Sequence, residues 1–167
     1  MKKVVGLNRF GIKYLVTVIF LIKFCFMTNS CATLGISEER KQDLLSKGFP
    51  IAVLEVRSGS PNSAGGVDAF IPWQNISEKE IKYVVFIVTP YNRVNDVAPS
   101  EIGDKSRARL RDMGPYKPGT VVRGGVYENV WYNHTIKYLV LNGIEVTFMD
   151  NSEVSFDAAQ ATQMLVK

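Results

Sequence analysis

Apolar positions are densest, outside the N-terminal segment, in Ile81-Lys82-Tyr83-Val84-Val85-Phe86-Ile87-Val88-Thr89-Pro90-Tyr91-Asn92. No residue from Tyr83 to Val88 is charged, so both faces of a strand here read as covered, as in a central strand between two packed layers. Pro90 withdraws a ladder donor, and Asn92 to Asp96 supplies turn residues.

Period-two alternation runs on either side of this strand. Ala52, Leu54 and Val56 alternate with Val53, Glu55 and Arg57, which predicts a first strand from Pro50. Residues 58–66 are a loop by composition. Val67, Ala69, Ile71 and Trp73 alternate with Asp68, Phe70, Pro72 and Gln74. This predicts a second strand, partly at an edge because of Pro72. The polar residues 75–80 are expected to turn it into the central strand as a hairpin.

Downstream, a short strand is expected over Val97 to Ile102, weakened by Pro99. Ser106, Ala108 and Leu110 then alternate with Arg107, Arg109 and Arg111, one small or apolar face against one basic face. Val126 to Tyr132 and Lys137 to Asp150 read as two further strands. Tyr138, Val140, Ile144, Val146 and Phe148 are the candidate inward residues of the second. Asn142-Gly143 interrupts it and is taken as a bulge, since too few residues precede it for a hairpin turn. Asn151-Ser152 closes a hairpin to residues 153–156, and Asp157 with Gln160 forms a capping-box pattern for a last short helix. Seven or eight short strands with turns near every ten residues predict an all-β antiparallel sandwich over residues 50–167.

The chain before this body has a different character. Residues 32–49 read as a polar spacer or a short helix, with Ser37 suited to an N-cap and Gly48 to the position after a C-cap. Residues 1–31 carry Lys2, Lys3, Arg9, Lys13 and Lys23, no acid, and an apolar stretch from Tyr14 to Ile22. That stretch is short for a membrane span and about right for a signal peptide. The end of the segment, Thr28-Asn29-Ser30-Cys31-Ala32-Thr33, resembles a bacterial lipobox, with Thr28 and Asn29 where the pattern usually has Leu and Ala or Ser. The resemblance implies that Cys31 becomes the lipid-bearing first residue of the mature protein. Plain cleavage after Ala32, with Ser30 and Ala32 as the small residues, and an uncleaved anchor stay open as alternatives.

Charge and cysteine content narrow the chemistry. The formal charge of the 167 residues is +4, but without the five leader cations the remainder holds 15 basic and 16 acidic residues. Nucleic acid is therefore not an expected partner. Both cysteines, Cys25 and Cys31, lie in or at the end of the leader, so no thiol remains in the body for a disulfide, a thiolate metal site or a nucleophile. No cofactor and no metal are expected.

Two stretches resemble a known kind of domain. One is Val67-Asp68, Asn75, Ser77, Lys79, Ile81 and Val84, followed by Val88-Thr89-Pro90-Tyr91-Asn92 and Asn95-Asp96. The other is Gly114-Pro115, Pro118-Gly119 and Glu128-Asn129-Val130-Trp131-Tyr132-Asn133. Together they resemble the small immunoglobulin-like domains of bacterial extracytoplasmic proteins, of which the FxLYD type is nearest, and an uncharacterised lipoprotein domain family of the same kind. The resemblance spans roughly residues 50–156. It implies an immunoglobulin-like sandwich of seven or eight strands and brings no catalytic residue.

His134, the one histidine, lies in a turn without a nucleophile motif and reads as a surface residue rather than a base. Asp68, Glu128, Glu145 and Asp150 are the strand acids, read as solvated. Asn75-Ile76-Ser77 matches a glycosylation sequon, idle in a bacterial chain. Arg107, Arg109 and Arg111, with the aromatics Trp131 and Tyr132, form the candidate binding surface; Trp73, Tyr91 and Tyr127 are further candidates for an aromatic platform. The functional expectation is a lipid-anchored bacterial cell-envelope protein without catalytic activity. It would act as an interaction or scaffold module on an envelope protein or a cell-wall glycan. The alternatives are a small envelope hydrolase or inhibitor of envelope enzymes, and a periplasmic or secreted subunit.

Overall fold

The computed structural model divides the chain into Met1–Thr33 and Leu34–Lys167 and describes residues 35–166. The leader and Cys31 lie outside the described residues.

The described body holds ten strands. They are β1 (Ile51–Val53), β2 (Arg57–Ser58), β3 (Gly66–Phe70), β4 (Trp73–Asn75), β5 (Ile81–Tyr91), β6 (Ala108–Tyr116), β7 (Val121–Val122), β8 (Val126–Tyr132), β9 (Tyr138–Phe148) and β10 (Glu153–Phe156). Helix α1 (Glu38–Ser46) precedes them and α2 (Ala158–Gln163) follows. All sheet ladders are antiparallel. One sheet has the order β10-β9-β5-β6; two smaller ones have the orders β1-β4-β7 and β2-β3-β8.

The smaller sheets are two halves of one layer. Each of their three passes runs from one into the other, and hydrogen bonds bridge the break: Leu54 N–H to the Pro72 carbonyl at 2.9 Å and Ile71 N–H to Gly125 at 2.7 Å. Pro72 offers no donor, so the ladder cannot continue through it. A Cβ on Gly125 would stand 2.3 Å from the Ile71 carbonyl oxygen, so only glycine admits this approach. Three kinked passes therefore face four others, and the seven give an all-β antiparallel sandwich. The strand expected over 67–74 is one pass bent at Pro72, not an edge strand.

The core lies between the layers. Ile81, Val84, Phe86 and Val88 of β5 meet Ile51, Val53, Val67, Ile71, Trp73 and Trp131 of the other layer, all fully buried. Burying side chains of this size contributes roughly 1.5–3 kcal/mol each, which suffices without crosslinks.

Three expectations need correction. Residues 75–80 do not close a hairpin; they cross between layers. Asn75, fully buried, makes that turn: its Nδ2 donates to the carbonyls of Lys79 and Tyr116 at 2.9 and 3.0 Å, and its Oδ1 accepts from the Ser77 N–H and Oγ. A sequon asparagine so enclosed is no glycan acceptor. Residues 97–102 form no strand beyond one bridge between Val97 and Tyr91. Asn142 is a bulge, as expected, with the register slipping between Ile87 and Val88. The extra residue reverses the facing upstream of it, so Leu139 and Leu141 are buried while Val140 is exposed. Of the two readings of residues 32–49, polar spacer or short helix, the helix is the one that forms, over Glu38–Ser46. Ser37 caps α1 through a bond from Arg40 N–H, Leu44 is fully buried, and Arg40 donates to the carbonyls of Gln163 and Leu165, tying α1 to α2.

The C-terminal helix forms on the expected capping box, with Asp157 and Gln160 bonded reciprocally. β9 and β10 form the expected hairpin, with Glu153 opposite Thr147.

Candidate functional site on the outer face of the four-stranded sheet

Register defines this face. β5 is central, and its outward residues are flanked by β6 on one side and β9 on the other. Tyr83 lies between Met113 and Thr147, Val85 between Arg111 and Glu145, and Ile87 between Arg109 and Gly143. Thr89 and Tyr91 continue the column opposite Val140 and Tyr138. No second layer packs here among the described residues, so the expectation that β5 is covered on both faces holds only for the inner one. Val85 is nevertheless only 6% exposed, because the long side chains of Arg111 and Glu145 flank it.

The basic stripe is real in geometry and uneven in charge. Arg109 and Arg111 project outward from β6, while Arg107 precedes the strand beside Thr89, Tyr91 and Asn142. The Arg109 guanidinium grips Glu145 with two bonds, Nη1 to Oε1 at 2.8 Å and Nη2 to Oε2 at 2.5 Å, across the central strand. This fork holds the Glu145 carboxyl below its usual range, with Arg111 adding a smaller electrostatic pull. Arg111 stands over the Tyr83 ring at 5.2 Å, and Met113, 71% exposed, lies beside that ring. At the other end, Tyr91 and Tyr138 stack at 5.4 Å with nearly parallel rings, and Tyr138 donates to Asn95. The face thus carries a basic flank on β6, an acidic residue on β9 and aromatics at both ends.

The candidate surface named from sequence does not assemble whole. Trp131 is fully buried in the opposite layer, so it is a core residue and not a contact surface. Tyr132 sits beside it on β8, half-buried, its backbone tied to Ser100 and Glu101. Trp73 is also core, and Tyr127 is buried at its hydroxyl. Strand aromatics facing inward are the commoner use of such residues in a sandwich.

The other single residues stay apart. His134 is exposed, with Nδ1 3.5 Å from Glu101. Asp68 accepts from Asn129 N–H, and Asp150 binds Lys79 and Ser152; the Lys79 ammonium, then the Ser152 bonds, hold the Asp150 carboxyl far below the usual range. No group of three or more metal-ligating side chains occurs among the described residues.

Asp112 was missed, although its signal is in the sequence. The alternation that turns Ala108 and Leu110 inward turns Asp112 inward too, opposite Val84. There Oδ2 accepts from the Trp73 indole at 2.6 Å, and Tyr116 packs edge-on against that indole at 4.9 Å. The Tyr127 hydroxyl is turned toward the same carboxylate without a hydrogen bond of normal geometry. Burial first, then Asp112, pushes the Tyr116 and Tyr127 phenols above their usual range. Asp112, Tyr116 and Tyr127 are each half-buried around the fully buried Trp73.

Compared with known proteins, the chain matches no family model, no curated protein and no solved structure.

Proposed function

We propose that the protein is a non-catalytic interaction or scaffold module of a bacterial cell envelope, held to the membrane by a lipid on Cys31. The leader pattern supports the address: a basic start, a short apolar stretch and small residues ahead of Cys31. The resemblance to small immunoglobulin-like extracytoplasmic domains supports the module. The observation that carries the interaction reading is the outer face of β10-β9-β5-β6. It is solvent-facing, with its own charge pattern and an exposed Met113 next to Tyr83 and Arg111. Methionine, tyrosine and arginine are the side chains favoured at protein contacts. The partner is an envelope protein or a cell-wall component that meets this face.

Detergent phase separation of cells tests the anchor. The protein should enter the detergent phase, and Cys31→Ser should move it to the aqueous phase; the intact mass should begin at Cys31 and include acyl chains. A mature chain starting at Thr33 without acyl mass would replace the anchored reading with secretion. Crosslinking to envelope components, compared between wild type and Arg111→Glu with Met113→Asp, tests the face. Equal capture by both would remove it.

A further inference from the structure

A second surface lies at one end of the sandwich, where three loops converge. Ser58 to Pro61 after β2, Asn92 to Val94 after β5, and His134 to Lys137 before β9 line a cavity of about 550 Å³. That volume is within the ~300–1,000 Å³ of small-ligand sites. It shares none of the outward residues of the sheet face.

The charge of this cavity is one-sided. Arg93, His134 and Lys137 line it, and no carboxylate does. Glu101 reaches His134 from outside the lining. Arg93 and Lys137 have no side-chain partner among the described residues. Several cations elsewhere do sit against carboxylates, as in Arg40 with Asp43, Lys79 with Asp150 and Arg109 with Glu145. Two unmatched cations facing one concavity attract an anion, and the planar fork of Arg93 suits a carboxylate or a phosphate.

The remaining lining fits a polyol attached to that anion. Ser58, Ser60 and Thr135 supply hydroxyls, while Pro61, Ile136 and the 71% exposed Val94 supply a small apolar ledge. The rim is held in place. Ser58 Oγ donates to the Lys137 carbonyl at 3.1 Å, and Lys137 N–H donates to Tyr91 at 2.7 Å. Asn92 Oδ1 accepts from the N–H groups of Val94 and Asp96, both at 3.0 Å. Loops already fixed lose less freedom on binding. We propose that this cavity binds a small sugar carrying a carboxylate or phosphate group, with Arg93 and Lys137 holding the anion.

Titration calorimetry on the full chain in detergent micelles, at about 50 mM salt to limit screening, tests this. The probes are N-acetylmuramic acid, glucose 6-phosphate, neutral N-acetylglucosamine and inorganic phosphate. At least one charged sugar should bind saturably, more tightly than inorganic phosphate. The carboxylate and phosphate arms distinguish a wall fragment from a phosphorylated sugar. Arg93→Gln and Lys137→Gln should each weaken binding by about tenfold or more, as expected for loss of a charge-assisted bond, with unchanged unfolding temperature because both side chains are exposed. Three outcomes would overturn the site: no saturable binding of either charged sugar, equal binding of the neutral sugar, or affinity unchanged in the Arg93→Gln, Lys137→Gln double variant. Inorganic phosphate binding as tightly as the sugars would overturn the sugar. Cys31→Ser should bind with wild-type affinity, so the anchor and the cavity stand or fall separately.

Discussion

The Trp73 indole N–H donates to Asp112 Oδ2 at 2.6 Å, and the two residues belong to opposite layers of the sandwich. The bond fastens β4 to β6 through the core. It also gives an inward carboxylate the partner that burial requires. Asp112→Ala should cost about 1–3 kcal/mol, since it strands a fully buried indole donor. Asp112→Asn, which keeps an acceptor, should cost less. Denaturant unfolding in a double-mutant cycle with Trp73→Phe should show coupling above about 0.5 kcal/mol. Additive losses would mean the bond contributes nothing beyond packing.

Alkaline pH should weaken the fold through Tyr127 and Tyr116. Both phenols are raised above their ordinary value, by burial and then by Asp112. A group raised in the folded state contributes stability below its unfolded pKa and loses it as pH rises toward the folded one. Stability should hold to about pH 9 and fall beyond about pH 10, where the unfolded chain ionises first. Tyr127→Phe removes a buried hydroxyl without a hydrogen-bond partner. It should equal or exceed wild type by about 1 kcal/mol at neutral pH and lose less above pH 10. Unfolding curves from pH 7 to 11 decide this.

Deleting Asn142 should leave the fold intact. Ile87 already pairs with Gly143 and Val88 with Leu141, so without the extra residue the ladder becomes regular and Leu139 and Leu141 stay inward. Asn142→Ala keeps the residue count and removes the Thr89 hydroxyl contact at 2.6 Å; it should fold, at a cost of about 1 kcal/mol. Both variants should keep the wild-type circular dichroism spectrum; its loss on deletion alone would mean that the bulge itself, and not the facing of the leucines, is required.

The Arg109–Glu145 fork should matter more for titration than for stability. Both side chains are substantially exposed, which limits such a pair to about 0.2–1 kcal/mol. Arg109→Gln should raise the Glu145 pKa, read by NMR titration, while changing the unfolding free energy by no more than that. A depressed carboxylate contributes stability above its unfolded pKa and loses it as pH falls, so the small loss should appear below about pH 4.5. An unmoved Glu145 pKa would mean the fork is not formed in solution.

The sequence by itself determined most of the strands, because alternation of apolar and polar side chains is a local property of a pleated chain. β8, β9, the β9–β10 hairpin, the Asp157 capping box and the outward Arg109 and Arg111 were all legible that way. Asp112 was legible too, by extending the same alternation two residues past Leu110. What only the tertiary structure decided is which strands share a layer. Asn75 sends the chain across rather than back because its amide meets Tyr116, a residue 41 positions away. Trp131 is core because another layer covers it, and periodicity cannot say which face will be covered. The cavity at Arg93 and Lys137 was invisible for the same reason: its three loops are distant in sequence, and only the closing of the sandwich sets their charges side by side.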